Sequence, residues 1–303
     1  MEKTGGVENI NVSADGITGE YAPEPLEEQV PRTRGSGLGA LREAPEMSHS
    51  QHNQVVREGK LASVHSWELV TAVDGPGTRL TLFLSGCPLR CQYCHNPDTF
   101  QMRSGHAVTL NDVFKLVKRY RAIFKVTGGG LTISGGEALM QVNFVRNLLR
   151  RCHQEGIHTC LDTSGFLGAN LADADLKNLD LVLLDVKSGD EATYHEVTGR
   201  PLVPTITFGD RLAEAKVPVW VRFVLVPGLT DDPENIAKLA QIARRWPNLE
   251  RLEILPFHQM ARDKWENLGL NYQLADTPVP TKDQVEAAKN IMREQGIQQV
   301  FSS

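Results

Sequence analysis

The chain has 303 residues, of which 41% are hydrophobic and 23% are charged, a composition typical of a globular protein with a sizeable core. Its 32 basic and 37 acidic residues give a formal net charge of -5, which argues against nucleic acid and against an anionic membrane as partners. No apolar run reaches the roughly 18 residues that span a bilayer, and no signal-peptide pattern opens the sequence. We therefore expect a cytoplasmic protein.

The N-terminal segment differs in composition from the rest of the chain. Residues 1–55 are polar, rich in Gly, Glu, Pro and Ser, and show no sustained apolar periodicity. Such a segment buries too little apolar surface to offset the entropy of ordering. We predict a disordered extension over residues 1–55 and one folded domain over residues 56–303.

From about Lys60, short apolar or β-branched runs alternate with stretches in which apolar residues recur every three to four positions. This alternation predicts about six βα units around a parallel sheet, an α/β fold that is better described as an open, partial barrel than as a two-layer sandwich. Strands are predicted over residues 79–85, 130–134, 157–161, 180–185, 217–226, 251–255 and 298–301. Helices are predicted over residues 143–153 and 281–295, and another ends near Tyr120 and is capped by Thr109, Asn111 or Asp112.

Three of the five cysteines, Cys87, Cys91 and Cys94, lie within eight residues directly after the first predicted strand. Thiolates at this spacing can surround one compact centre, and soft sulfur donors favour an iron-sulfur cluster or zinc. A cubane held by three cysteines keeps one iron open to another ligand, whereas structural zinc takes a fourth protein ligand, for which His95 is the candidate. The ligand count favours the cluster. Cys152 and Cys160 lie on apolar faces and are predicted to be buried structural thiols.

The CxxxCxxC spacing after the first strand of a βα barrel resembles the cluster motif of the radical S-adenosylmethionine (SAM) enzymes. Within that superfamily, the chain resembles the family that activates glycyl radical enzymes, in particular the pyruvate formate-lyase type. The resemblance covers residues 63–301 and implies a partial (β/α)6 barrel of the radical SAM type, whereas many members begin near the equivalent of Leu61. The other blocks that carry it are VDGPGT at 73–78, YCHNP at 93–97, SGGEA at 134–138, GIHTCLDTSGF at 156–166 and LDVK at 184–187.

The resemblance implies a reaction and its participants. Cys87, Cys91 and Cys94 would hold a [4Fe-4S] cluster, which reductively cleaves SAM to methionine and a 5′-deoxyadenosyl radical. That radical would abstract hydrogen from a glycine Cα of pyruvate formate-lyase under anaerobic conditions. The implied electron donor is of the flavodoxin or ferredoxin type, and the chain is expected to be a monomer.

The resemblance also implies roles for single residues, each with a simpler structural alternative such as a tight turn, a helix cap or an ion pair. Lys187 joins the three cysteines as a catalytic residue. A monovalent cation, Na or K, would lie beside the SAM carboxylate at Asp162, Thr163 and Asp185. Asp74 would contact the loop of the protein substrate. The implied SAM-binding residues are Tyr93, Cys94, His95, Gly136, Asp185, Val186, Lys187, Arg222 and His258.

Two alternatives remain open at this point. The chain could activate a different glycyl radical enzyme, although no cysteine-rich insert follows Asn96, which favours the pyruvate formate-lyase type. It could also be a non-catalytic iron-sulfur or zinc scaffold, but a scaffold has little reason to keep an open cysteine triad together with Lys187 and two strand-end aspartates.

Overall fold

A computed structural model describes residues 38–71 and 74–302, together with the backbone of residues 12–13 and 16–17. The two short strands β1 (Val12–Ser13) and β2 (Gly16–Ile17) pair with each other in antiparallel orientation. The rest of the predicted disordered extension up to residue 37, and Val73 of the first turn motif, lie outside the described residues.

A nine-stranded sheet forms the centre of the fold, in the order β11-β10-β9-β8-β7-β6-β4-β3-β5. All neighbouring pairs from β4 to β11 are parallel, and β3 is antiparallel to both β4 and β5. The strands are β3 Leu61–Thr71, β4 Thr78–Leu84, β5 His106–Thr109, β6 Gly130–Gly135, β7 His158–Thr163, β8 Leu181–Asp185, β9 Val219–Leu225, β10 Leu249–Pro256 and β11 Val300–Ser302.

Helices connect the parallel strands, as the alternating pattern predicts. Thr109 caps α2 by accepting the amide hydrogen bond of Asp112, so the first of the three proposed caps is the one used. The α-helices are α1 His49–Arg57, α2 Leu110–Arg119, α3 Arg121–Thr127, α4 Val142–Gln154, α5 Asp173–Leu176, α6 Glu191–Thr198, α7 Val203–Glu214, α8 Pro233–Arg244, α9 Arg262–Asn267 and α10 Lys282–Glu294. Short 3-10 helices occupy Pro97–Thr99, Met102–Ser104, Ala138–Gln141 and Gly168–Asn170.

The prediction of an open, partial βα barrel is confirmed. Each of the six predicted internal strands is present, and the last one is β11. One distance shows that the sheet is strongly curved. Asp74 Oδ1, in the turn before β4, lies 3.9 Å from Arg222 Nη1 on β9. In a flat sheet the four intervening strand spacings would separate β4 from β9 by ~19 Å. The curvature therefore brings side chains from distant strands to one interior.

The sequence analysis does not predict the two antiparallel strands β3 and β5. In β3 the inward positions include Ser66, which is 5% exposed and whose hydroxyl contacts the ring of His65. A polar residue on the buried face obscures the alternation that would otherwise reveal a strand.

The predicted disorder is wrong for residues 38–55. Leu41 and Val55 are buried against the domain, and Ser48 forms a capping box at the start of α1. The side chains of Asn143 and Asn147 donate hydrogen bonds to the carbonyl oxygens of Arg57, Glu58 and Gly59 at the end of that helix. These few contacts order the segment without the apolar periodicity that a sequence search detects.

The core lies between the sheet and its helices. Cys152 on α4 and Cys160 on β7 are both fully buried, which confirms the prediction of structural thiols.

Within the described residues, no helix combines the length and the apolar character that crossing a membrane requires.

Candidate active site

The loop after β4 carries the three clustered cysteines, all with free thiols. Cys91 is buried, and Cys87 and Cys94 are partly buried. Two amides fasten the start of the loop, because Gly86 N donates to Thr99 O at 2.7 Å and Cys87 N donates to Phe100 O at 3.2 Å. Cys94 N donates to Cys91 O at 3.1 Å and so folds the last two cysteines into a tight turn. The loop thus presents its thiols at the carboxyl edge of the parallel strands.

The electrostatic environment of the thiols follows from their burial and proximity. Burial raises the pKa of Cys87 and Cys91, and it raises the pKa of Cys94 to about 12. The negative charge that Cys91 would carry as a thiolate adds to the increase at the other two cysteines. Neutral thiols therefore predominate at neutral pH, and a metal centre must displace their protons when it binds.

The turn after β6 packs directly against the cysteine loop. A Cβ atom added at Gly136 would lie 2.5 Å from the carbonyl oxygen of Gly86 and 3.0 Å from Cys87 Cβ. Glu137 N also donates to Gly86 O at 2.8 Å. Close packing alone thus explains the need for glycine at position 136, and the contact of Gly136 with SAM stays a prediction.

Glu137 is a residue that the sequence analysis did not assign to the site. Its side chain is 1% exposed and accepts hydrogen bonds from Thr163 Oγ1 at 2.6 Å and from Ser164 N and Oγ at 3.0 and 2.6 Å. The carboxylate therefore ties the end of β6 to the end of β7. The spacing of Glu137 after two glycines marks the turn, but only the fold reveals which strand end it binds.

A network of buried charges fills the barrel interior beside the cysteine loop. Arg222 Nε donates to Asp185 Oδ1 at 3.0 Å, and Arg222 Nη2 contacts Asp162 Oδ1. Lys187 Nζ lies 2.6 Å from Asp185 Oδ2, and Ser134 Oγ donates to Asp162 Oδ2 at 2.6 Å. These ionisable side chains are between 11% and 17% exposed, so their charges act in a poorly solvated environment.

Burial and the opposing charges compete in setting the protonation of this network. Burial alone would lower the pKa of Lys187, but the groups around it, Asp185 first among them, together raise that pKa well above the ordinary range. Arg222 and Lys187 lower the pKa of Asp185 although burial opposes them. For Asp162, burial prevails over Arg222 and raises the pKa to about 6. At neutral pH, Lys187, Arg222 and Asp185 are charged, and Asp162 is largely ionised as well, because its pKa still lies below neutral.

The proposed monovalent-cation ligands have other partners in this structure. Asp162 and Asp185 meet through Arg222, whereas the hydroxyl of Thr163 donates to Glu137. The structure brings the two carboxylates together and does not direct the Thr163 hydroxyl towards them. The cation site stays a prediction.

The residues proposed near adenine lie around the cysteine loop. The rings of His95 and His258 stack with centroids 4.1 Å apart, and partial burial together with His258 lowers the pKa of His95. The ring of Tyr93 is buried and lies 5.7 Å from Lys187 Nζ. Val186 has no exposed surface, and its amide donates to Arg222 O at 3.0 Å, so its side chain belongs to the core.

Asp74 lies inside the barrel and not on the outer surface. Thr81 Oγ1 donates to Asp74 Oδ2 at 3.0 Å, and Thr132 Oγ1 donates to the carbonyl oxygen of Asp74 at 2.7 Å. Its other carboxylate oxygen faces Arg222. Contact of Asp74 with a substrate loop would therefore have to occur within the barrel.

These residues fit a [4Fe-4S] cluster and SAM. Within residues 38–71 and 74–302, no three Asp, Glu, His or Cys side chains are arranged to hold a single metal ion. The donors of a cubane need not converge on one ion, because each cysteine binds a different iron. The buried hydroxyl of Tyr93 has no hydrogen-bond partner among the described residues, which favours a polar ligand beside it. Lys187 offers the positive charge that a ligand carboxylate requires.

Comparison with known proteins gives consistent matches. The model of the radical SAM superfamily matches residues 81–240. The chain is 40% identical over 243 residues to pyruvate formate-lyase 1-activating enzyme of Escherichia coli (strain K12), which covers 80% of this chain and 99% of that protein. It is 41% identical over 234 residues to pyruvate formate-lyase-activating enzyme of Clostridium pasteurianum, covering 77% of this chain and 98% of that protein. A radical SAM methyltransferase from Sphaerobacter thermophilus shares the fold, with a TM-score of 0.53 at 15% identity over 85% of this chain and 82% of that chain.

Proposed function

Because this chain belongs to the radical SAM superfamily and, within it, to the pyruvate formate-lyase activating enzymes, we propose that it generates a glycyl radical on pyruvate formate-lyase at the expense of SAM. The structural observation that carries the proposal is the position of the three thiols. Cys87, Cys91 and Cys94 lie in one loop at the carboxyl edge of the sheet, next to a buried, protonated lysine. The two features supply cluster ligands and a ligand-binding cation in one barrel.

Cys87, Cys91 and Cys94 would hold the [4Fe-4S] cluster. When bound, the cluster supplies the electron that splits SAM into methionine and the 5′-deoxyadenosyl radical. The close packing of Gly136 and Glu137 on the start of the loop fixes the thiols relative to β6. Because only three cysteines would bind it, the cluster would keep an open position for a further ligand such as SAM.

Lys187 and its neighbours would orient SAM. Lys187 stays protonated and offers donors to the SAM carboxylate, and Asp185 holds the ammonium group in place. Arg222 fixes the other oxygen of Asp185 and so prevents that carboxylate from turning away. Tyr93 contributes its buried hydroxyl, which has no hydrogen-bond partner among the described residues, and the stacked rings of His95 and His258 offer a surface for adenine.

A monovalent cation at Asp162, Thr163 and Asp185 is part of the proposal. The charge balance supports it, since Asp74, Asp162 and Asp185 outnumber the two cations Arg222 and Lys187. A bound Na or K ion would neutralise the excess carboxylate. Its binding would require the Thr163 hydroxyl to turn from Glu137 towards the ion.

The glycine of the protein substrate would enter the barrel mouth, where the buried interior limits access of water to the radical. Asp74, which faces Arg222 within the barrel, is the candidate contact with the inserted segment. The proposal includes a flavodoxin or ferredoxin type electron donor and a monomeric activating enzyme.

Anaerobic turnover with purified pyruvate formate-lyase tests the proposed function. We expect reconstituted, reduced enzyme to form 5′-deoxyadenosine and to activate pyruvate formate-lyase, and Cys91→Ala to do neither. The matched control is Cys152→Ala, which removes a buried thiol on α4 and should retain the activity of the folded fraction. Cleavage of SAM without activation of this substrate would direct the search to another glycyl radical enzyme.

A further inference from the structure

A short helix from the C-terminal part of the chain lies on the cysteine loop. Trp265, on α9, is 7% exposed, and its indole Nε1 donates to the carbonyl oxygen of Cys94 at 2.9 Å. The two residues are 171 positions apart in sequence. Contact between elements so far apart must come from the fold and not from the local geometry of the loop.

Other contacts from the same helix hold the polypeptide that follows Cys94. Lys264 Nζ lies 3.1 Å from Asn96 Oδ1 and 3.2 Å from Asp98 Oδ2. His65 Nε2, on β3, contacts the same Asp98 oxygen at 3.0 Å. The ring of Trp265 meets Phe100 edge-on, with centroids 5.8 Å apart and planes at 82°. Helix α9 therefore contacts the loop at four successive points between residues 94 and 100.

Three carbonyl groups earlier in the loop accept hydrogen bonds from arginine side chains. Arg90 Nη1 donates to the carbonyl oxygens of Cys87 and Leu89, at 2.7 Å each. Arg200 Nε donates to the carbonyl oxygen of Pro88 at 2.7 Å. The carbonyl group of Cys94 differs from these three, because its donor, Trp265, lies on α9. A hydrogen bond to that oxygen fixes the peptide plane that follows Cys94 and thus the direction of its side chain.

We propose that Trp265 is a positioning residue that holds Cys94 in the orientation required of a cluster ligand. The inference rests on the proposed function, since it needs a cluster at the three cysteines. Groups outside the ligand set orient the ligands and control solvent access, and both effects change metal retention and reduction potential. Trp265 does both, because its N–H binds the ligand backbone while its ring covers the loop beside Phe100.

Two phenylalanine substitutions test the inference. Trp265→Phe keeps an aromatic ring and removes the N–H donor. The matched control is Trp220→Phe, which removes an indole donor of equal exposure, 7%, whose partner is Glu250 at 2.8 Å. Each reconstituted protein is mixed anaerobically with excess ferrous chelator, and cluster loss is followed by visible absorbance. An EPR-monitored redox titration of each protein gives the midpoint potential of its cluster.

We expect Trp265→Phe to lose iron about 10-fold faster than the wild type and to show a shifted midpoint potential. Trp220→Phe should stay within about 2-fold of the wild type, with its potential unchanged. Equal iron loss and equal potentials in Trp265→Phe and the wild type would overturn the inference, as would equal acceleration in both variants. A wild type that takes up no iron would instead contradict the proposed function.

A second variant keeps the test decisive if Trp265→Phe does not fold. Lys264→Met retains an unbranched apolar side chain at a position that is 40% exposed and removes only the contacts with Asn96 and Asp98. Faster iron loss in this variant supports the attachment of the loop by α9. If Trp265→Phe is unfolded and Lys264→Met loses iron at the wild-type rate, the inference that α9 holds the cysteine loop is overturned.

Discussion

Arg222 Nε binds Asp185 Oδ1 at 3.0 Å and thereby joins β9 to β8 at the centre of the barrel. The same guanidinium contacts Asp162 on β7, so one cation lies between carboxylates of two neighbouring strands, β7 and β8. The pairing leaves the second oxygen of Asp185 for Lys187. This arrangement links the stability of the barrel to the charges that we propose to bind SAM.

Loss of Arg222 should destabilise the fold strongly. Arg222→Met leaves Asp162 and Asp185 without their main counter-charge in a poorly solvated interior, which costs about 3 to 5 kcal/mol. Urea unfolding of the cluster-free chain measures the effect. The control is Arg245→Met, which breaks an exposed pair with Asp210 and should cost less than about 1 kcal/mol. Similar losses in both variants would show that the interior network is not specially stabilising.

Lys187 should contribute to SAM affinity rather than to cluster assembly. Lys187→Met removes a charge-assisted donor worth about 1.5 to 3 kcal/mol, which weakens binding by about 10-fold or more. The cluster content should stay at the wild-type level, because the three cysteines are unchanged. Titration of the reduced cluster signal with SAM measures the affinity, with Lys238→Met, on the outer helix α8, as control. Unchanged SAM affinity in Lys187→Met would make Lys187 a structural residue.

The pH dependence of stability tests Asp162. Burial raises its pKa from 3.8 to about 6, so the folded chain retains a proton that the unfolded chain releases within that window. Wild-type stability should therefore fall as the pH rises from about 4 to 6, relative to Asp162→Asn, which lacks the titrating group. We expect the difference between the two proteins to change by about 1 to 3 kcal/mol between about pH 4 and pH 7. A constant difference, or one that changes in the opposite direction, would contradict the proposed protonation of Asp162.

The segment before β3 should stabilise the domain. Val55 on α1 is 3% exposed and its neighbour Val56 is 42% exposed, so the pair forms an internal comparison. Val55→Ala should cost about 1 to 2 kcal/mol through lost burial, and Val56→Ala less than about 0.5 kcal/mol. Thermal unfolding of the two variants measures this. Equal melting temperatures of the two variants would show that residues 38–55 do not stabilise the domain, as the sequence prediction of a disordered extension requires.

The sequence predicts the repeating part of the fold better than its exceptions. The six internal strands follow from apolar runs such as residues 180–185, because a parallel strand covered on both faces is almost wholly apolar. Strand β3, whose inward face carries the polar Ser66, and the ordered segment around Leu41 lack this continuous apolar pattern, so the sequence gives no periodic signal for them.

The candidate site shows the same division. The spacing of Cys87, Cys91 and Cys94 predicts a shared centre, because these three residues lie within one short segment of the sequence. The hydrogen bond from Trp265 to Cys94 and the interior position of Asp74 arise from the curvature of the sheet and the path of the C-terminal segment. The binding of Glu137 to Ser164 depends in the same way on which strands are neighbours.

The EPR spectrum of pyruvate formate-lyase, recorded after anaerobic incubation with the reduced, cluster-loaded enzyme and SAM, decides whether this chain generates the glycyl radical. We expect a doublet from the remaining α-hydrogen of one glycine, and a singlet in its place when the substrate protein carries α-deuterated glycine. Cys91→Ala should give no organic radical under the same conditions. Absence of the doublet, with a wild-type enzyme whose cluster signal responds to SAM and with an electron donor present, would contradict the claim that this chain activates pyruvate formate-lyase.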